Sequence, residues 1–195
     1  MKNFEPSKPK IENLFKNIFF LFFFILIGYA IYEFQYRDFV YWFKRGDLAK
    51  TADEEIYCYN KAIGKWHFWN DVKLKAAAYY NLGIAYYEKK ELDREIENYN
   101  RALELNSEYE EAYFNRANAF ASQGQYDQAI LDYSKTLEIF PQDSDSYFNR
   151  GYAYFLKGDE KKALEDYKKA VKINPAYLPF SYKKNSKFAG SKTRK

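Results

Sequence analysis

Asn81, Asn115 and Asn149 stand 34 residues apart, and most of their neighbours keep the same spacing. Repetition at that period restricts the chain to a solenoid, in which each copy is one supersecondary unit that buries its apolar face against the next. The copies span residues 76–109, 110–143 and 144–177 and begin at Ala76, Glu110 and Ser144. Each opens with an aromatic pair and the asparagine: Tyr79-Tyr80-Asn81, Tyr113-Phe114-Asn115, Tyr147-Phe148-Asn149. A small residue follows (Gly83, Ala117, Gly151), then an aromatic (Tyr86, Phe120, Tyr154). Later in each copy Tyr99, Tyr133 and Tyr167 precede Ala102, Thr136 and Ala170 by three.

Apolar residues at intervals of three and four in both halves of each copy predict two antiparallel amphipathic helices. The small residues mark close helix crossings, where a larger side chain would push the backbones apart. Gly124 and Gly158 fall where the chain reverses, and Pro141 and Pro175 separate one copy from the next. With Leu82-Gly83, Gly124-Gln125-Tyr126, Ala129-Ile130 and Ala163-Leu164, these residues resemble the tetratricopeptide repeat (TPR) family from Ala76 to Tyr177, roughly half the chain. The resemblance implies an all-α, right-handed solenoid of antiparallel helix pairs.

The first copy is the least regular. It has Glu95 where the others have Ala129 and Ala163, Lys90 in place of a turn glycine, and Ser107 in place of proline. A carboxylate at a tight crossing either reaches solvent or is costly to bury, so that crossing is expected to be looser. Upstream, Glu55-Ile56, Tyr59 and Ala62 repeat the spacing of Glu95-Ile96, Tyr99 and Ala102. Residues 35–75 therefore read either as a degenerate fourth copy or as unrelated capping helices.

Ile18 to Tyr32 is uncharged, and Leu14, Phe15 and Phe34 extend its apolar character past Lys16 and Glu33. The longer stretch suits a bilayer core of about 30 Å at 1.5 Å per residue. Residues 17–34 are expected to form a single transmembrane helix after a short tail, 1–16, with Tyr29, Tyr32, Tyr36, Tyr41 and Trp42 at the membrane surface. Gly28-Tyr29-Ala30 leaves open the rival reading, a cleaved signal peptide and an exported soluble protein. Basic residues tie on the two sides of the span, and the free amino terminus tilts the expectation toward a repeat domain on the non-cytoplasmic side. Cys58 is the only cysteine and cannot form an intramolecular disulfide.

The net charge of +4 conceals an acidic repeat domain and a basic C-terminus. Residues 178–195 carry six basic side chains and no acid, and the run Lys183-Lys184-Asn185-Ser186 predicts a disordered tail. Lacking a folded platform, that tail does not point to nucleic acid. Catalysis also finds little support. His67 is the only histidine, which excludes a histidine-based metal pair, and no glycine-rich phosphate loop or nucleophile elbow is present. An enzyme using surface carboxylates is the distant alternative; neither metal nor cofactor is expected. His67 lies in Lys65-Trp66-His67-Phe68-Trp69, an aromatic knot expected to cover the solenoid's end.

The resemblance further implies that the first helix of each copy lines a concave groove for a peptide or helix of a partner protein. The residues expected there are Tyr80, Asn81, Ile84 and Tyr87, then Phe114, Asn115 and Asn118, then Phe148, Asn149, Tyr152 and Phe155. The asparagines would bracket a peptide amide and the aromatics would anchor apolar side chains. One TPR subgroup clamps chaperone C-terminal carboxylates with lysines, arginine and asparagines. Asn115 matches one clamp asparagine, but Tyr80, Ile84, Asp145 and Asn149 replace other members, so an apolar or aromatic partner segment is the expectation. Together these observations predict a membrane-anchored interaction scaffold.

Overall fold

The computed structural model describes residues 8–66 and 71–178, with side chains from Leu14 onward. Within them eight α-helices follow one another: α1 (Lys8–Asp47), α2 (Ala52–Gly64), α3 (Val72–Glu88), α4 (Leu92–Leu105), α5 (Glu110–Ser122), α6 (Tyr126–Ile139), α7 (Ser144–Leu156) and α8 (Glu160–Ile173). A 3-10 turn, Pro175–Tyr177, closes the series. Each helix packs on its sequence neighbours, and α5 also approaches α7, which puts these two first helices on a shared side. His67, Phe68 and Trp69 of the aromatic knot, and the tail from residue 179, lie outside the described residues.

The periodic residues do the same job in every copy. Tyr80 meets Tyr99, Phe114 meets Tyr133 and Phe148 meets Tyr167, with ring centroids 5.9, 5.9 and 5.5 Å apart. Such pairs stabilise by about 0.5–1.5 kcal/mol beyond their area burial. The turns repeat as closely: Gly124 and Gly158 adopt left-handed φ values of 75° and 85°, and Lys90 is forced to 59°. In each turn the next amide bonds back to a first-helix carbonyl: Glu91 to Tyr86, Gln125 to Phe120, Asp159 to Tyr154. That is the left-handed helix stop glycine favours, so lysine is strained there.

Upstream of these copies, a further helix pair packs by the same contacts. Its first helix is the end of α1: Phe43 meets Tyr59 of α2 at 5.6 Å, as Tyr80 meets Tyr99. A Cβ on Gly46 would fall 2.6 Å from the Tyr59 ring, as one on Gly83 would fall 2.3 Å from Tyr99. Gly46 and Glu55 are nine residues apart, against twelve between Gly83 and Glu95, so the inner turn is shorter. The helix that enters the repeats is therefore the same unbroken 40-residue helix that carries the apolar run. From Leu14 it is long and apolar enough to cross a membrane, with mean hydropathy 2.2 in its most apolar window, none of which is buried.

Glu95 takes the costlier of the two outcomes open to it. The carboxylate does not reach solvent, being only 2% exposed, and its Oε2 has no hydrogen-bond partner. Nor is the first crossing looser at Gly83, where a Cβ has less room than at Gly151, whose nearest neighbours would lie at 3.0 Å. Glycine at position 83 lets Tyr99 lie against the α3 backbone.

Candidate functional site

The first-helix residues divide into two groups. Tyr80, Ile84, Phe114, Asn115, Asn118 and Phe148 are buried, Asn115 to 1% exposure. Their polar groups are engaged across the seams between copies. Asn81 donates through Nδ2 to the Tyr59 hydroxyl at 3.1 Å, and Asn115 to the Tyr80 hydroxyl at 3.1 Å. Asn149 donates to Asn118 Oδ1 at 3.3 Å, which also accepts from the Tyr133 hydroxyl at 2.6 Å. Each asparagine thus reaches back to the preceding copy, and the 34-residue ladder is a set of inter-repeat staples. Losing one partner of such a buried bond costs about 1–3 kcal/mol. Sequence reasoning assigned these amides to a peptide because asparagine contributes little to a core; their use as staples depends on an aromatic hydroxyl or amide brought close only by stacking.

The second group is open. Tyr87 and Phe155 occupy equivalent places in the last turns of α3 and α7, 38% and 40% exposed, with Leu156 beside Phe155. At the equivalent place in α5 stands Ala121, half-buried, so the aromatic surface steps down between two rings. Tyr152, Asn81 and Asn149 are half-buried. The structure thus leaves an apolar stripe at the ends of the first helices, above a closed seam.

Two ion pairs on buried aspartates went unanticipated. Arg116 donates through Nε and Nη2 to the Asp132 carboxylate, both at 2.7 Å, and through Nη1 to Asn100 Oδ1 at 2.6 Å. One period later Arg150 grips Asp166 at 2.7 and 2.9 Å and reaches the Ser134 hydroxyl at 2.9 Å. Each fork joins the two helices of its copy and touches the second helix of the copy before. The signal was present as an arginine and an aspartate 16 residues apart, recurring at 34. In the first copy those places hold Leu82 and Asn98.

At the α1–α3 junction Asp47, Glu55, Tyr59, Asn81 and Ile84 line a cleft of about 260 Å³. Asp47 is exposed and accepts from the Tyr59 hydroxyl at 2.8 Å. Burial and that bond push the Tyr59 hydroxyl above its usual range. Among the described residues no group of three or more His, Cys, Asp or Glu is placed to hold a metal.

This arrangement of stacked helix pairs, with an aromatic pair and a small crossing residue in every copy, defines an all-helical repeat solenoid. The family description "TPR repeat" matches residues 85–124 and 117–158, and "Tetratricopeptide repeat" matches residues 144–177. Among solved structures, YrrB, described as a TPR protein with an unusual peptide-binding site, superimposes with a TM-score of 0.56 at 26% identity, over 65% of this chain. This chain spans 62% of YrrB. MamA gives a TM-score of 0.51 at 30% identity over 66% of this chain and 77% of its own. The TPR domain of Arabidopsis OM64 gives 0.55 at 25% identity, over 57% of this chain and 94% of its own. No curated protein matches the chain by sequence comparison. The chain belongs to the tetratricopeptide repeat family, whose repeats serve protein–protein interaction.

Proposed function

We propose that this protein is a membrane-anchored scaffold that binds an apolar or aromatic segment of a partner protein on the first-helix face of its repeats. The observation that carries the reading is the stripe of Tyr87, Phe155 and Leu156, with Tyr152 half-buried beside it: large apolar side chains left open on the side where the first helices gather. Aromatic anchors of this kind offer large contact area with few rotors to freeze. Asn81 and Asn149 are partly accessible beside the stripe, with their Nδ2 groups engaged between copies. The peptide-binding site described for YrrB and the fold shared with it support a peptide as the ligand.

The anchor in this reading is α1 from Leu14 to Phe34, with the repeats on the non-cytoplasmic side. A second reading is favoured by one measurement: Ile31–Asp47 is 17 residues, the length of α3, so a chain cut after Ala30 would keep its first repeat helix whole. N-terminal sequencing of the mature protein separates the two, Ile31 as first residue supporting export. For binding, peptides selected from a random displayed library against the full chain in lipid nanodiscs should be rich in aromatic residues. Their affinity should fall tenfold or more, about 1.4 kcal/mol or greater, in Tyr152→Ala/Phe155→Ala. Enrichment no better than on empty nanodiscs, or affinity unmoved by the double change, rejects the reading.

A further inference from the structure

We propose that the far end of the solenoid, the outer face of α8, docks an acidic amphipathic helix of a partner protein, laid where the first helix of a further copy would lie. α2, α4 and α6 are each covered by the first helix of the next copy. Polar contacts recur in register along these seams. Near the start of each second helix an aspartate accepts from the C-cap residue of the following first helix: Asp53 from Lys89, Asp93 from Gln123 at 3.1 Å, Asp127 from Lys157. Two turns further on, Asn100 and Ser134 accept from Arg116 and Arg150 of the following copy, at 2.6 and 2.9 Å. Leu103 and Leu137, one turn beyond, are 7% exposed. In α8 the same three places hold Lys161, Lys168 and Val171. Among the described residues only the 3-10 turn follows α8, and there Tyr177 stacks on Phe148 at 4.5 Å as Tyr109 packs on Tyr80 at 4.8 Å, so the entry to a further seam is formed.

At this end both acceptors have become cations. Lys168 is exposed where Asn100 and Ser134 are half-buried, Lys161 is exposed, and Val171 is half-buried. A lysine in the first turn of a helix opposes the macrodipole, which favours the aspartate that α4 and α6 place there. The whole copy follows the change: residues 76–109 carry four basic and seven acidic side chains, 110–143 two and six, and 144–177 seven and five. A further copy like the second or third, bringing an arginine to Lys168, would meet like charge there. The complementary occupant is a helix antiparallel to α8, with carboxylates where α5 carries Arg116 and Gln123 and α7 carries Arg150 and Lys157. Each of these pairs is seven residues apart, as are Lys161 and Lys168. Seven residues are two turns, about 10.5 Å, and keep both side chains on one face. Residues 178–195, with six basic side chains and no acid, cannot supply those carboxylates. The open stripe of Tyr152 and Phe155 belongs to α7, so this is a second surface with a different ligand chemistry.

The test uses the full chain in nanodiscs and two hydrocarbon-stapled helical peptides with the sequence of residues 109–124, one natural and one with Arg116→Glu/Gln123→Glu. Two opposite-charge pairs in place of a like-charge contact should make the glutamate peptide bind about tenfold tighter in low salt. Lys161→Asp/Lys168→Asn installs the chemistry of Asp93 and Asn100 and should reverse the preference. Lys162→Asp/Lys169→Asn makes the same charge change, again seven residues apart, on the side of α8 turned to α7, where these ammonium groups lie over Tyr154 and Tyr147. That variant should keep the preference of the native chain. No saturable binding of the glutamate peptide, or equal loss of preference in both variants, overturns the proposal. Two rival occupants overturn it as well: nanodisc-borne chains that pair through α8 without peptide, read by mass photometry, assign the face to a second copy, and binding seen only after deletion of 179–195 assigns it to the tail.

Discussion

The first regular copy and the two that follow are built on one period but held together differently. Copies two and three close around a half-buried arginine–aspartate fork, Arg116 with Asp132 and Arg150 with Asp166. Copy one has Leu82 and Asn98 at those places, keeps Gly83 pressed on Tyr99, and buries Glu95 with an unpartnered oxygen. The difference teaches that the period prescribes the geometry of helix crossing and leaves the polar chemistry beneath it free to vary. An ion pair is one way to fill that space and an apolar residue is another.

Breaking a fork should have the largest effect. Asp132→Ala strands a partly buried guanidinium and is expected to cost about 3 kcal/mol, the low end for a buried pair, read as a lowered urea midpoint. Arg116→Leu with Asp132→Asn installs the first copy's solution and should cost less than the single change. A double variant no more stable than Asp132→Ala would show that the two copies do not share an interchangeable slot. Next comes Gly83→Ala, whose new Cβ collides with the Tyr99 ring; overpacking there is expected to cost about 1–3 kcal/mol. Gly151→Ala, with more room, should cost less in the same measurement.

Glu95 offers a pH test of comparable or smaller size. Burial pushes its carboxyl from the ordinary 4.5 to about 8. A raised carboxyl holds its proton in the folded state after the unfolded chain has lost it, so the stability it contributes is complete below about 4.5 and is lost as pH rises through about 8. Thermal stability of the wild type should therefore fall between these values relative to Glu95→Gln, by about 1–3 kcal/mol for a buried group without compensation. Parallel pH profiles for the two proteins would mean that the carboxylate finds a partner. The smallest effect is expected at Lys90: Lys90→Gly relieves a left-handed lysine and should gain about 1 kcal/mol, whereas Gly124→Lys should lose a similar amount.

The fold was legible because a 34-residue period is carried by residues whose size alone matters, such as Gly83, Ala117 and Ala129. Candidate contacts were less so. That Tyr87 and Phe155 stay open while Phe114 and Phe148 are buried depends on which neighbour the next copy supplies, and no helical period records that. The asparagine staples and arginine forks depend on partners 15 to 35 residues away. The repeat-like packing of α1 on α2 was hidden because their turn is three residues shorter, which moves Gly46 out of phase with Gly83. The buried Glu95 shows the opposite case, in which the sequence flagged an irregular residue correctly and packing decided its fate.

The central claim is that partners meet the open first-helix stripe and not the outward apolar residues of the second helices, Leu131 and Leu164, which are 67% and 50% exposed. A photo-crosslinking amino acid placed singly at Tyr152, Phe155, Leu131 and Leu164 in the full-length chain, irradiated in nanodiscs with a selected peptide, compares the two faces directly. The account predicts covalent adducts from positions 152 and 155 and none above background from 131 and 164. Adducts confined to 131 and 164 would contradict it.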